Sequence, residues 1–304
     1  MSKPFPQIPG RTYMITRMCL AQLFLLHPDS EKVAQIIEFA LARARQLTGA
    51  MIHSYCTLSD HLHILFTDVN GNGSRFRQLF FSLAGRMINS LRGREGYVWN
   101  PPNHDVLWLV DHESQLERIG YIAAQPIAAG VLEKATDWEG AMSSPYDLGT
   151  KRTIERPKLS IFEGEKKTQV PDEIELVIEP LPGQAHLPLS KAIKEQLKVV
   201  REARRKARAE RRASGKGFLG KEALKKISWQ HQAKTKHPFK TMNPFVACKD
   251  KERRIAALRE LKEFQRRYRK ALDELLEGNR EVVFPYGTNK LRPYVLVEPA
   301  LTPT

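Results

Sequence analysis

Two histidines one residue apart, His61 and His63, have types and spacing that suggest chemistry. They open an apolar stretch, His61-Leu-His-Ile-Leu-Phe-Thr67, that reads as a strand. Side chains alternate across a strand, so both imidazoles project to one side while Leu62, Ile64 and Phe66 turn the other way, into a core. Two imidazoles held like this can grip one divalent metal ion, although His-x-His also arises on strands by chance. Tyr121 and Gln125, spaced i and i+4, share one face of a later helical segment. The phenol is a potential nucleophile and the amide oxygen a potential third, neutral ligand. Pro126 follows directly, so the helix should kink or end at Gln125. On spacing alone the plainer reading of that pair, a core aromatic and a polar helix end, is the better one.

The elements that must position these residues follow from periodicity and punctuation. Thr12–Leu20 suits a strand, and a helix capped by Asp29 or Ser30 should run to about Gln46, with Val33, Ile36, Ile37, Ala40 and Leu41 inward and Gly49 as its stop. Ala50–Thr57 and His61–Thr67 are two strands joined by the turn Leu58-Ser59-Asp60. A helix from a Ser74 cap to about Arg92 carries Leu79, Phe80, Leu83, Met87 and Leu91. Val106–Val110 is a short strand, and Ser114 with Glu117 matches a capping box that opens the Tyr121 helix. The order β-α-β-β-α-β-α describes an α+β fold, an antiparallel sheet of the split βαβ, ferredoxin-like type.

Charge divides the chain. It carries 304 residues, 49 Lys plus Arg and 34 Asp plus Glu, for a net charge of +15. Residues 1–150 are nearly neutral, and the whole excess falls in 151–304. Three organisational units follow: a candidate catalytic domain at 1–150, a Pro-rich, loosely packed linker at 151–190, and a basic helical extension at 191–304. In the extension, Leu189–Arg212 and about Lys249 to Leu276 read as helices, the second with a near-heptad stripe through Ile255, Leu258, Leu261, Phe264, Tyr268, Leu272 and Leu275. A polyanion is the natural partner for such charge. Arg201, Arg204, Arg205, Arg208, Arg211, Arg212, Lys225 and Lys226 are candidate nucleic-acid contacts, with Trp229 and Phe239 as candidate stackers on unpaired bases. Phe264 and Tyr268 read better as packing residues. His53 reads as structural, and His104 and His112 are given no role.

Three scattered cysteines, Cys19, Cys56 and Cys248, exclude a disulfide framework and a Cys-type zinc site. The chain lacks a run of about 20 apolar residues, and its start lacks a hydrophobic signal core. It reads as a soluble, cytoplasmic, nucleoid-associated protein with no membrane partner.

Taken together, Ser59-Asp60-His61-Leu62-His63-Ile64-Leu65, Tyr121-Ile-Ala-Ala-Gln125-Pro126-Ile-Ala-Ala-Gly130 and Trp138-Glu-Gly-Ala-Met-Ser143-Ser144-Pro145-Tyr146 resemble the single-tyrosine HUH transposases, where U is a hydrophobic residue. Within that group they most resemble the REP-associated tyrosine transposases, with their Asn-His-x-His-Leu-Leu, Tyr-Ile-x-x-Asn-Pro-x-x-Ala-Gly and Trp-x-x-Ser-Ser-Tyr segments. The resemblance covers about residues 10–148. Asp60 stands where the family has Asn, and Gln125 where the nearest relatives have Asn. Related insertion-sequence transposases place a metal-ligating Gln four residues after their tyrosine.

The resemblance implies Mg²⁺ or Mn²⁺ held by His61, His63 and Gln125, with Tyr121 attacking a DNA phosphate to leave a 5′-phosphotyrosine link and a free 3′-hydroxyl. The implied activity is metal-dependent cleavage and strand transfer on single-stranded or hairpin DNA. The alternative is a non-enzymatic, domesticated DNA-binding regulator with a vestigial metal site, motivated by Asp60 and the dominance of the basic half.

Overall fold

The computed structural model describes residues 4–100, 106–163, 170–233, 245–289 and 294–299. His104 and Phe239 lie outside these residues. Strand β1 (Arg11–Met18) leads to helix α1 (Glu31–Thr48), then β2 (Met51–Thr57), β3 (His61–Asp68), α2 (Gly73–Arg92), β4 (Val106–Leu109) and α3 (His112–Ala123). A one-turn helix α4 (Gln125–Ala128) follows. The result is an α+β fold whose main sheet runs β2-β3-β1-β4, extended by β7 (Val246–Ala247), with an order compatible with the expected split βαβ pattern. The first four strands pair antiparallel and β7 joins β4 in parallel, so the sheet is mixed.

Register sorts the residues onto two faces. Thr16 lies opposite His63 and Met18 opposite His61. On one face Leu62, Ile64 and Phe66 pack with Val33, Ile36 and Ile37 of α1 and Phe76 and Phe80 of α2, and the rings of Phe66 and Phe76 stack at 4.6 Å. On the other face Met14, Leu65, Leu107 and Leu109 meet Leu116, Ile119 and Ile122 of α3. The alternation expected of β3 therefore holds, with the histidines on the α3 side.

The helix ends are capped partly by residues other than those the sequence suggests. Ser30 caps α1 and Gly49 closes it in the left-handed region, as the pattern predicts. The start of α2 is instead held by Asp68, whose carboxylate accepts from the Asn72 and Gly73 amides, and by the Gln7 amide oxygen, which accepts from Ser74 N. Asp111, not Ser114, caps α3: its carboxylate accepts from Ser114 N at 2.9 Å and from Lys249 N at 2.7 Å. Burial opposes the charge on Asp111, but hydrogen bonds from Cys248, Ser114 and Lys249 hold its carboxyl well below the usual range. Glu117, the expected partner in a capping box, pairs with Lys249 instead.

The stretch 151–190 is more ordered than its prolines suggest. Strands β5 (Lys151–Glu155) and β6 (Glu173–Val177) form an antiparallel pair that buries Ile154, Ile174 and Leu176 against α1. Alternating apolar residues outweigh the flanking prolines because each strand has a helix face to cover. Helix α5 (Leu189–Ala213) is likewise no detached arm, since it packs along α3 and α4. A short helix α6 spans Lys221–Lys225, and α7 (Lys251–Leu276) packs near β7 and on strand β8 (Val283–Phe284), which pairs with β9 (Leu296–Val297). Leu261 and Phe264 are buried, and Tyr268 lies against Phe284, so both aromatics are packing residues as expected; Ile255 is exposed.

Candidate active site on the α3 face

The tight turn after β2 places Asp60 directly before β3. Its carboxylate Oδ1 lies 2.7 Å from His61 Nδ1, fixing that ring. His63, two residues on, sits deeper at 2% exposure, with Nδ1 2.9 Å from Thr16 Oγ1 across the β1–β3 register. The two imidazoles meet edge to face, with centroids 5.1 Å apart. His63 Nε2 is buried without a hydrogen-bond partner of normal geometry. Burial, and then the nearby His61, push the His63 imidazole well below its usual pKa, with the adjacent Gln125 amide acting in the opposite direction. Burial thus disfavours the charged form of His63, and its Nε2 faces the Gln125 amide without completing a hydrogen bond of normal geometry.

Helix α3 brings the second pair. Tyr121 is 40% exposed, and its ring stands edge-on to His63 at 5.4 Å. Gln125 is buried, and its Nε2 donates to the Tyr121 carbonyl at 3.3 Å, so its oxygen is the end left to face the imidazole. The break comes earlier than Pro126 predicts: α3 ends at Ala123, Ala124 keeps right-handed helical angles, and Gln125 opens α4, where a proline in the first turn is tolerated. Residues i and i+4 therefore stay on one side despite the break.

The sheet holds α3 close for a reason visible at Gly120. A Cβ there would lie 2.8 Å from the Val199 carbonyl oxygen and 3.1 Å from Ala203 Cβ, so α5 approaches as only glycine allows. Arg204 then donates from Nε to the Ala123 carbonyl at 3.0 Å, closing the C-terminal end of α3. The third motif lies alongside β2: Ser143 N donates to the Tyr55 carbonyl, Cys56 bridges to Met142, and Trp138 is buried with Leu58, Leu132 and Leu224.

The cationic residues singled out from sequence separate into two groups. Arg201, Arg205, Lys225 and Lys226 are exposed. Arg204 is tied to α3, Arg208 donates to the Glu133 carbonyl, Arg212 pairs with Glu133, and Arg211 donates to the Gly217 carbonyl at 2.8 Å while its guanidinium blocks any Cβ at Gly130. Trp229 is half-buried against the main core with the Arg92 guanidinium 5.4 Å from its ring, so it does not present a free face. Lys194 and Lys198, which the sequence reading passed over, share an outward groove with Arg201 and Arg205. The residue most clearly missed is Arg118, whose guanidinium carbon lies 5.3 Å from the centre of the Tyr121 ring. Its i, i+3 spacing to Tyr121 was the available signal.

His53 is structural. Its Nδ1 lies 2.9 Å from the Glu179 carbonyl and its Nε2 2.7 Å from Thr67 Oγ1. Among the described residues, no group of three or more His, Cys, Asp and Glu is placed to hold a metal ion. The set at β3 consists of two imidazoles and an amide.

No protein-family model matches the chain, and no curated protein matches it. Among solved structures it is similar to a REP-associated tyrosine transposase bound to a REP hairpin, at 16% identity and a TM-score of 0.35, over 45% of this chain and 79% of that one. A second, from Deinococcus radiodurans and named as a transposase, is 17% identical with a TM-score of 0.29, over 41% of this chain and 98% of that one. Superpositions this loose carry no residue roles across. Among the described residues no helix is long and apolar enough to cross a membrane.

Proposed function

We propose that the chain is a metal-dependent endonuclease and strand transferase for single-stranded or hairpin DNA, built on the ferredoxin-like HUH plan, with Tyr121 as nucleophile. The observation that carries this reading is the vacant, buried Nε2 of His63, set beside His61, facing the Gln125 amide and 5.4 Å ring-to-ring from a half-exposed tyrosine.

The donor set, two neutral imidazoles and one amide oxygen, fits a borderline divalent cation such as Mn²⁺ better than it fits Mg²⁺. Each Nδ1 is engaged, His61 with Asp60 and His63 with Thr16, so a proton on Nδ1 leaves each Nε2 with its lone pair. His61, His63 and the Gln125 oxygen would hold Mg²⁺ or Mn²⁺ while leaving positions for phosphate oxygens. When bound, such an ion supplies Lewis-acid polarisation of the phosphate. Asp60, standing where the resembled family has Asn, keeps the orienting role, because its carboxylate accepts from His61.

The protein's own part is positioning and attack. Tyr121 Oη bonds the phosphorus, the bond from phosphorus to O3′ breaks, the phenol gives up its proton, and the departing strand takes one as a free 3′-hydroxyl. The 5′-phosphotyrosine link conserves the phosphodiester bond for transfer to another 3′-hydroxyl. Exposed Lys194, Lys198, Arg201 and Arg205 on the outer side of α5, with Lys225 and Lys226, supply phosphate contacts whose counterion release makes binding salt-dependent. Arg204 instead closes α3 and Trp229 packs against the core, while Arg208, Arg211 and Arg212 hold surface contacts that a DNA phosphate would have to displace or share.

The test is covalent capture. Labelled hairpin-bearing single-stranded DNA incubated with Mn²⁺ should give a denaturant-stable adduct that is lost with EDTA and in Tyr121→Phe. Adduct formation that survives Tyr121→Phe would rule the assignment out. Tight, salt-sensitive binding without adduct, indifferent to EDTA and to His63→Ala, would establish the non-enzymatic regulator instead.

A further inference from the structure

Arg118 lies one helical turn before Tyr121, half-buried, with its guanidinium carbon 5.3 Å from the centre of the phenol ring. That ring is itself edge-on to His63 at 5.4 Å, so the guanidinium, the phenol and the His63 imidazole form one contiguous row. The Nε of Arg118 is buried without a hydrogen-bond partner, and no ion pair joins the side chain to any described residue. Arg204, which also lies against α3, is by contrast bound to the Ala123 carbonyl. Only the Arg118 Nε carries the cost of an unfilled buried donor, which leaves the terminal nitrogens of a half-buried cation to meet solvent or an incoming anion. Its planar fork of donors matches an anion with two or more exposed oxygens, and phosphate above all.

We infer that Arg118 binds a nonbridging oxygen of the phosphodiester presented to Tyr121. This rests on the proposed strand-cleaving role of the site, and it adds a residue that the resemblance did not include. The aliphatic stem of Arg118 lies along the helix beside Tyr121 while the guanidinium meets the phosphate from the side of the phenol. The protein thereby supplies a fixed positive contact that does not depend on the metal ion. A lysine would bring charge without the planar fork.

Two measurements test the inference on the full chain. Single-turnover adduct formation on ordinary single-stranded DNA with Mn²⁺ should slow by about a hundredfold in Arg118→Met, which keeps the stem, and recover in part in Arg118→Lys. A thermal melt checks that both variants are folded. Binding by Tyr121→Phe protein, with and without Arg118→Met, is then compared on oligonucleotides carrying a normal phosphate or a neutral methylphosphonate at the cleaved linkage. The methylphosphonate should weaken binding by about tenfold when Arg118 is present and by less than about twofold when it is replaced. Equal adduct rates in wild type and Arg118→Met, or an equal methylphosphonate penalty in both backgrounds, overturn the role of Arg118 alone. An absence of any adduct in wild type overturns it together with the cleavage reading.

Discussion

Two histidines buried in the same sheet differ in one hydrogen bond, and the proposed function rests on that difference. His53 at the β2 bulge fills both ring nitrogens, with the Glu179 carbonyl and Thr67 Oγ1. His63 fills Nδ1 with Thr16 and leaves Nε2 vacant. Both are almost wholly buried, and burial lowers the basicity of both. An unfilled buried nitrogen costs about 1–3 kcal/mol, a cost a protein can maintain where a ligand fills the vacancy. Burial alone marks neither residue as functional; complete accounting of donors and acceptors distinguishes them.

The sharpest way to break this contrast is at Tyr121, the nucleophile proposed beside His63. Tyr121→Phe should reduce covalent DNA capture to below about one-thousandth of wild type, read on a denaturing gel, while melting stays unchanged. The histidines themselves should respond unequally. His53→Leu leaves the Glu179 carbonyl without its partner and the Thr67 hydroxyl with Thr12 alone, and should lower stability by about 2 kcal/mol or more in urea titrations. His63→Leu removes an orphan nitrogen together with the Thr16 contact, so stability should change by less than about 1 kcal/mol while metal-dependent capture is abolished. A loss of about 2 kcal/mol or more in His63→Leu would show that Nε2 is satisfied in the fold.

Acid sharpens the same comparison. Burial, with the Glu179 contacts opposing it, lowers the His53 pKa to about 4 from an ordinary 6.5. Below pH 6.5 the unfolded chain takes a proton that folded His53 refuses. Its contribution is therefore complete above pH 6.5 and is lost as pH falls towards 4, by about 3 kcal/mol in all. The difference between wild type and His53→Leu in urea titrations at pH 7.5 and pH 4.5 measures it, and the two should converge in acid.

Smaller effects lie further from the rings. Gly120→Val pushes α5 away from α3 and should cost about 1–3 kcal/mol, with a slower adduct rate because Tyr121 moves with its helix. Arg201→Gln with Arg205→Gln should leave melting unchanged and lower the salt slope of DNA binding by about 2. Arg204→Gln should instead lower the melting temperature, because that side chain closes α3.

Local pattern determined a good deal of this. The two-residue period of β3 placed Leu62, Ile64 and Phe66 in one core and His61 and His63 on the opposite face, and the i, i+4 spacing kept Gln125 with Tyr121 across the break at Ala124. Such periods are properties of the backbone and need no distant partner. Where partners are chosen over long separations, composition misled. Prolines hid the β5–β6 pair, charge made α5 look like a free arm although its inner face grips α3, and Asp111 outcompeted Ser114 because α7 begins against the same carboxylate. Tertiary packing alone decided that Arg204 would close a helix while Arg118, of the same residue type, would be left unpaired beside the tyrosine, since side-chain chemistry is written in the sequence but the neighbour that satisfies it is set by which helix lies across which sheet.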